Sequence, residues 1–162
     1  MEKNISMKVK LRNANKGDLP VVLELIQELA IYEKAPKEVT ITIEDLEKDG
    51  FGENPIYEII LAENKNEIVG MSFYFFNYST WKGKCLYLED IIVKQEFRGH
   101  KIGSILFDAT VKRAKEIKAK RMQWQVLNWN EPAINFYKKY NSDIDDEWLN
   151  CKLTEDQIIN YK

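Results

Sequence analysis

The run Leu86-Tyr87-Leu88-Glu89-Asp90-Ile91-Ile92-Val93-Lys94-Gln95-Glu96-Phe97-Arg98-Gly99-His100-Lys101-Ile102-Gly103-Ser104 changes its period partway along. Up to Val93 it has the Ile, Leu, Val and Tyr content of a buried strand. Beyond Gly99, the residues Ile102, Ile105, Leu106, Ala109, Thr110 and Ala114 recur at helical spacing as far as about Lys118. A strand therefore feeds an amphipathic helix through a short loop that contains glycine. The first amides of such a helix are unpaired and partially positive, glycine lets a pyrophosphate approach closely, and Arg98 and Lys101 add charge, so the segment suits an anion. Read alone, it is equally a plain helix start with two tolerated glycines. A P-loop is excluded because no GxxxxGK followed by Ser or Thr occurs, and a dinucleotide fold lacks both GxGxxG and a parallel βαβ setting.

Within the strand, Glu89 and Asp90 place two carboxylates in an apolar run. A desolvated charge there costs several kcal/mol (order of magnitude ~3–5) unless it is paired, hydrated or used. Successive strand residues point to opposite faces, so at most one of the two faces the core unless a bulge intervenes, and bulges recur beside active sites. The alternative is a carboxylate tied to a neighbouring Lys or Arg.

On the N-terminal side, Tyr57–Glu63 and Ile68–Tyr78 are rich in Ile, Val, Phe and Tyr and are separated by Asn64-Lys65-Asn66, as in a hairpin. With Leu86–Val93 they predict three consecutive antiparallel strands. Lys8–Arg12 alternates as a first strand, and Met1–Ser6 reads as a frayed leader. Asn15-Lys16-Gly17-Asp18 has capping-box spacing, followed by Leu19, Val22, Leu23, Ile26, Leu29 and Ala30 at helical period to about Glu33. Lys34–Val39 reads as a loop. Thr42-Ile43-Glu44-Asp45 opens a second, short helix that Gly50 is expected to terminate in a left-handed cap. On the C-terminal side, Met122–Leu127 is predicted as a strand, Glu131–Tyr140 as a helix entered through Asn130 and Pro132, and Trp148–Leu153 as a closing strand. The expected order, β-α-α-β-β-β-α-β-α-β, is mixed α/β.

The length of 162 residues and 44% hydrophobic content fit one domain, over 8–162 after a leader of residues 1–7. The 24 Lys and Arg nearly balance the 26 Asp and Glu, for a formal net charge of -2, which gives no polyanion-binding signature and argues against nucleic acid. No stretch reads as a signal peptide or a membrane span, so a cytoplasmic location and no membrane partner are expected. Two cysteines, Cys85 and Cys151, without CxxC spacing, and a single histidine, His100, support neither a disulfide framework nor a metal site. Both thiols are expected to be buried and free.

A third segment, Asn128-Trp129-Asn130-Glu131-Pro132-Ala133-Ile134-Asn135-Phe136-Tyr137-Lys138-Lys139-Tyr140-Asn141, ends a strand, turns on an Asn and begins a helix. Phe136 and Tyr137 are adjacent, so one ring can pack inward while the other offers its hydroxyl.

Together the three segments resemble the GNAT N-acetyltransferases. The family's cofactor signature maps onto Arg98, Gly99, His100, Lys101, Ile102 and Gly103, with Lys101 standing where a glycine is expected. Resemblance to the spermidine/spermine (diamine) acetyltransferases, a subfamily that includes thialysine-preferring members, covers nearly the whole chain. It rests on Leu25–Glu33, Asp49–Pro55, Leu86–Asp90 and Asn130–Tyr137. It weakens after Tyr140, where Tyr140-Asn141 replaces an Arg-Gly; an Asn can still take a left-handed cap there.

The resemblance implies a GNAT fold: a mixed, mostly antiparallel twisted sheet of about six to seven strands flanked by about four helices. It implies transfer of acetyl from acetyl-CoA to a primary amine of a polyamine or diamine, without a metal, by a homodimer. The alternatives are another small-amine acceptor such as thialysine, or a catalytically silent acetyl-CoA-binding protein. An alkylammonium with a pKa near 10.4 leaves roughly one molecule in a thousand neutral at pH 7, so a base is needed. By resemblance Glu89 is that base and Tyr137 the proton donor to the departing thiolate. Backbone amides of Ile91, Ile92 and Val93 hold pantetheine, the loop from Arg98 through Ser104 holds pyrophosphate, and Asn130 belongs to the cofactor set. The acceptor is lined by Tyr32, Glu33, Glu89, Gln123, Trp124, Gln125 and Asp146. Glu33 could equally be a solvated helix-end residue, and Tyr32 ordinary packing.

Overall fold

The computed structural model describes residues 7–162; most of the expected leader lies outside the described residues. Strands β1 (Lys10–Asn13), β2 (Glu58–Asn64), β3 (Glu67–Ser79), β4 (Gly83–Val93) and β5 (Arg121–Gln123) form one sheet in that order. The first four are successive antiparallel neighbours, and β5 joins β4 in parallel. The helices are α1 (Leu19–Tyr32), α2 (Ile43–Phe51), α3 (Ile102–Glu116), α4 (Glu131–Lys138) and α5 (Glu155–Ile159).

The mixed α/β class is as expected, but the described residues hold five strands and five helices. The expected closing strand over Trp148–Leu153 is absent. That stretch pairs with no strand, Trp148 and Leu149 are exposed, and the chain instead enters α5 through a capping box between Thr154 and Gln157. Alternation alone makes no strand where no edge receives the ladder hydrogen bonds. The strand expected over Met122–Leu127 shrinks to three residues for the same reason: β4 pairs with only Arg121, Met122 and Gln123.

The chain divides into two compact units, one ending at Gln125 and the other running from Val126 to Lys162. In the first, α1 and α2 cover one face of the sheet. Leu19, Val22 and Leu25 of α1 and Leu46 of α2 pack with Ile59, Leu61, Met71 and Ile92, alternate residues that share that face. The opposite face receives α3 through Ile102, Leu106, Phe107, Thr110 and Ala114. Gly70 makes this approach possible, since a Cβ there would lie 2.7 Å from the Ile92 carbonyl oxygen and 3.2 Å from Leu106. Thr110 Oγ1 donates to the Leu106 carbonyl at 2.9 Å, so Ser72 Oγ supplies the proton in their 2.6 Å contact. Arg12 ties β1 to Asp18 and to Glu63 on β2 at 2.7–2.9 Å.

Asn15 caps a 3₁₀ turn, Lys16–Asp18, that leads into α1, so the capping box starts one turn ahead of the α-helix proper. Lys34, at φ 62, closes α1: its amide donates to the Ile31 carbonyl and the Ala35 amide to Ala30, a Schellman pattern built on a lysine. The expected cap at Gly50 is not formed; α2 continues to Phe51 and ends at Gly52, whose φ is -79. Gly50 is required for another reason: a Cβ there would lie 2.2 Å from the Tyr57 ring. Cys85 is buried, whereas Cys151 is exposed because its stretch never joins the sheet; both are free.

In the second unit, Asn130 Oδ1 accepts from the Ala133 amide and caps α4, with Pro132 in the first turn as expected. The Phe136 ring meets Tyr137 and Tyr140 edge-on at 5.2 and 5.4 Å. The helix ends at Lys138 rather than Tyr140, and Asn141, at φ 53, takes the left-handed conformation that the sequence suggested.

Candidate functional site

The register of β3 against β4 breaks at the acidic pair. Phe73 faces Asp90, but Tyr74 faces Leu88, leaving Glu89 as the extra residue of a β-bulge. A bulge resets the alternation, and Glu89 and Asp90 both line the same cleft of about 610 Å³. Its other walls are mostly apolar: Ile26 from α1, Val39 and Ile41 ahead of α2, Ile56 and Tyr57 ahead of β2, and Phe73, Phe75 and Phe76 of β3. Glu38 and Thr40 complete the lining, and no Lys or Arg contributes. Among the described residues neither Glu89 nor Asp90 forms a salt bridge, so the pairing alternative does not hold.

Electrostatics follow from that lining. Burial, followed by repulsion from Glu89 and Glu33, pushes the Asp90 carboxyl up to about 7. Burial likewise raises Glu89 and Glu33 above the usual carboxylate range. Glu33, which follows α1 directly, is thus one of the charges that act on Asp90. Two carboxylates of raised pKa in an apolar cleft that no Lys or Arg lines, with the charge of Glu33 acting on one of them, are suited to a cationic guest. Asp90 is the member that sequence reasoning left out. The signal was present in the acidic doublet, but only the bulge assigns both residues to one face. Tyr57 is anchored in the wall by its hydroxyl, which donates to the Leu46 carbonyl, and by stacking on Phe73 at 4.3 Å.

Another cavity, of about 670 Å³, lies on the α3 side between Arg12 and Arg113. There Arg113 makes two hydrogen bonds to Glu58, at 2.7 and 2.9 Å, Tyr74 donates to the same carboxylate, and Arg12 is held by Asp18 and Glu63. Its strongest charges are already satisfied, which marks it as structural.

β4 runs to Val93, yet β5 accompanies it only as far as Tyr87. Beyond that point one edge of β4 has no strand partner. The Lys94 amide donates to Val69 on β3. By alternation Ile92 also turns its amide to β3, while Ile91 and Val93 turn theirs to the open edge. Of the three amides singled out from the sequence, two are thus available to a ligand lying along β4.

The loop that follows leads through a 3₁₀ turn, Gln95–Phe97, to the N-terminus of α3. Gly99 has φ 80 and Lys101 φ 64, so the lysine takes the left-handed backbone that glycine would adopt freely. Lys101 is the N-cap of α3 without a side-chain cap bond, which leaves the amides of Ile102, Gly103 and Ser104 in the orphan first turn. His100 Nδ1 contacts the Phe97 and Arg98 carbonyls at 3.3 and 3.0 Å. Arg98 turns back: its Nε donates to the Val93 carbonyl at 2.9 Å, and its guanidinium lies over the Tyr32 ring, 5.3 Å from the centroid.

Gln123, Trp124 and Gln125 do not line the acidic cleft; Gln123 and Gln125 are exposed, and the Trp124 ring meets Phe107 edge-on at 5.3 Å. In the second unit, Asn130 caps α4, Tyr137 lies in its last turn and Asp146 is exposed outside any helix or strand.

Residues 20–141 match the family model described as acetyltransferase (GNAT) family. The chain is 42% identical over 138 residues to a thialysine N-epsilon-acetyltransferase of Bos taurus, a match covering 80% of this chain and 81% of that protein. It is 36% identical to a spermidine/spermine N(1)-acetyltransferase-like protein 1 of Homo sapiens, over 79% of this chain and 19% of that protein. Among solved structures, an aminoglycoside acetyltransferase from an uncultured soil metagenomic sample superposes with a TM-score of 0.74 at 19% identity, over 90% of this chain and 95% of that one, which speaks for the fold.

Proposed function

The chain belongs to the acetyltransferase (GNAT) family and is an N-acetyltransferase of small amines, and from that premise we propose that it transfers acetyl from acetyl-CoA to a primary amine of a polyamine or diamine by direct attack in a ternary complex. The observation that carries this reading is the acidic cleft without a cation beside the open edge of β4. A polycation gains from every carboxylate there, whereas an acceptor with its own carboxylate is repelled.

Acetyl-CoA supplies the activated acyl group. The amides of Ile91 and Val93 are positioned to hold pantetheine and polarise the thioester carbonyl. The first-turn amides of α3, with Lys101, are positioned to hold pyrophosphate. Glu89, with a raised pKa, takes the ammonium proton, directly or through water, and the freed lone pair attacks the carbonyl carbon. As the carbon–sulfur bond breaks, Tyr137 gives its phenolic proton to the thiolate. Glu33 and Asp90 stabilise the remaining cationic centres. The reading includes a symmetric homodimer acting in the cytoplasm; two free cysteines fit a reducing compartment.

A second reading, thialysine as acceptor, is favoured by the 42% identity to the Bos taurus enzyme. Thiol release with acetyl-CoA and a panel of spermidine, spermine, short diamines and thialysine separates the two. At least about tenfold higher kcat/KM for the polyamines or diamines is expected, a margin of about 1.4 kcal/mol. The reverse order assigns thialysine, and no release with any amine leaves a silent CoA binder.

A further inference from the structure

Resting on the acetyl-CoA reading above, we infer that Arg98 and Tyr32 form a brace that positions the acceptor-binding end of α1 and couples occupancy of the cofactor loop to affinity for the amine. Arg98 is anchored to the end of β4 by its Nε–H bond to the Val93 carbonyl, and its guanidinium covers the Tyr32 ring. Tyr32 is the last residue of α1, and Glu33 follows it directly. The Schellman closure through Lys34 and Ala35 leaves that helix end little freedom of its own, so a force on Tyr32 is passed to Glu33. Glu33 in turn acts on Asp90, three residues before Val93 on β4. The path from Asp90 along β4 to Val93, across Arg98 to Tyr32 and on to Glu33 is a chain of bonded and packed neighbours, and the repulsion between Glu33 and Asp90 spans its open side. The width of that side is the separation of the two carboxylates that a cationic guest must bridge.

Only the Arg98 Nε–H is used by the Val93 carbonyl. The other guanidinium N–H groups take no part in that bond. A phosphate at the loop can therefore take those donors while Tyr32 stays covered. An Arg98 fixed in this way holds Tyr32, and with it Glu33, in one place before the amine arrives. Linkage requires the effect to be reciprocal: the amine must tighten CoA by the same factor.

The test is calorimetric titration of spermidine into the free protein and into its complex with desulfo-CoA, repeated for Tyr32→Phe and Tyr32→Leu. The wild type is expected to bind spermidine about five- to twentyfold more tightly with desulfo-CoA present, within the usual range of coupling between sites. Tyr32→Phe keeps an aromatic face for Arg98 and should retain most of that factor. Tyr32→Leu should bring it close to one, while its affinity for desulfo-CoA in the absence of amine changes less than about threefold. Steady-state assays should then show a raised KM for the amine at saturating acetyl-CoA, with kcat altered less. An unchanged coupling factor in Tyr32→Leu overturns the brace and leaves the acetyltransferase reading standing. Equal loss in the Phe and Leu variants also overturns it, because the hydroxyl would then be the active group. Failure of the wild type to bind desulfo-CoA overturns the cofactor reading and the brace with it.

Discussion

Asp90 sits where chain geometry and electrostatics conflict. It lies beside an extra strand residue in a mostly apolar cleft, near Glu89 and Glu33. An aspartate in the unfolded chain titrates near 3.9, and the folded protein pushes this one up to about 7. Between those values the folded state holds a proton that the unfolded state has released, so stability falls as pH rises through the window, and the loss is complete above it. Asp90→Asn removes the penalty. Relative to wild type the variant should gain about 1–3 kcal/mol between pH 4 and pH 8, a range that discounts for water in the open cleft. Urea unfolding at the two pH values measures it, and a difference that ignores pH would count against the burial argument. The two catalytic assignments separate in the same way. Glu89→Gln should lower turnover by about 10²-fold or more, with the loss shrinking at high pH as the amine deprotonates unaided. Tyr137→Phe should cut turnover while leaving acetyl-CoA affinity nearly intact, because only a proton needed late in the reaction is removed. Equal turnover of both variants and wild type across pH 6 to 10 would return Glu89 to a purely structural role.

At the scale of elements, the acidic cleft proposed for the acceptor depends on how α2 meets the strand entrance. Gly50 lets the Tyr57 ring lie against the helix, and Tyr57 is fixed by its bond to the Leu46 carbonyl and by Phe73. The ring therefore has no easy retreat. Gly50→Ala gains helix propensity of about 1 kcal/mol but forces a wall residue of the cleft to move, at about 1–3 kcal/mol. A net lower denaturation midpoint together with a raised KM for the amine is expected. An alanine variant more stable than wild type would show that the ring shifts freely. The helix end expected at Gly50 lies two residues on, at Gly52, in extended and not left-handed backbone, since helix ends are set by where the chain must leave and not by the first permissive residue. The loop Arg98–Ser104 shows the converse: Lys101 bears the left-handed backbone at a position where the resemblance to the family expects glycine, so the loop conformation persists without the residue that makes it easy.

For the whole molecule, the exposed Ile144, Trp148, Leu149, Leu153, Ile158, Ile159 and Tyr161 leave the C-terminal stretch with much apolar surface. Such surface fits the proposed homodimer, for which sedimentation equilibrium at micromolar concentration should return twice the 19.1 kDa chain mass. A monomer at that concentration would remove the dimer from the proposal. The sequence determined the features that are local and periodic: the central antiparallel strands, the amphipathic α1 and α3, the capping boxes, the turn from strand to helix at Arg98–Ser104 and the left-handed Asn141. Each is decided by residues within one or two turns of chain, where period and cap chemistry dominate. It also marked the doublet Glu89-Asp90, because two carboxylates in an apolar run are costly wherever they fold, and only the family resemblance singled out Glu89 from the pair. Tertiary structure alone decided the rest. The bulge that brings Glu89 and Asp90 into one cleft depends on the register of β3 against β4. The open edge of β4 depends on how early β5 departs. The absence of a closing strand at Trp148–Leu153 depends on whether any edge is there to receive it. The turning of Arg98 from the loop onto Tyr32 depends on where α1 ends. These are pairings between residues distant in sequence, and a single chain's alternation carries no record of its partner.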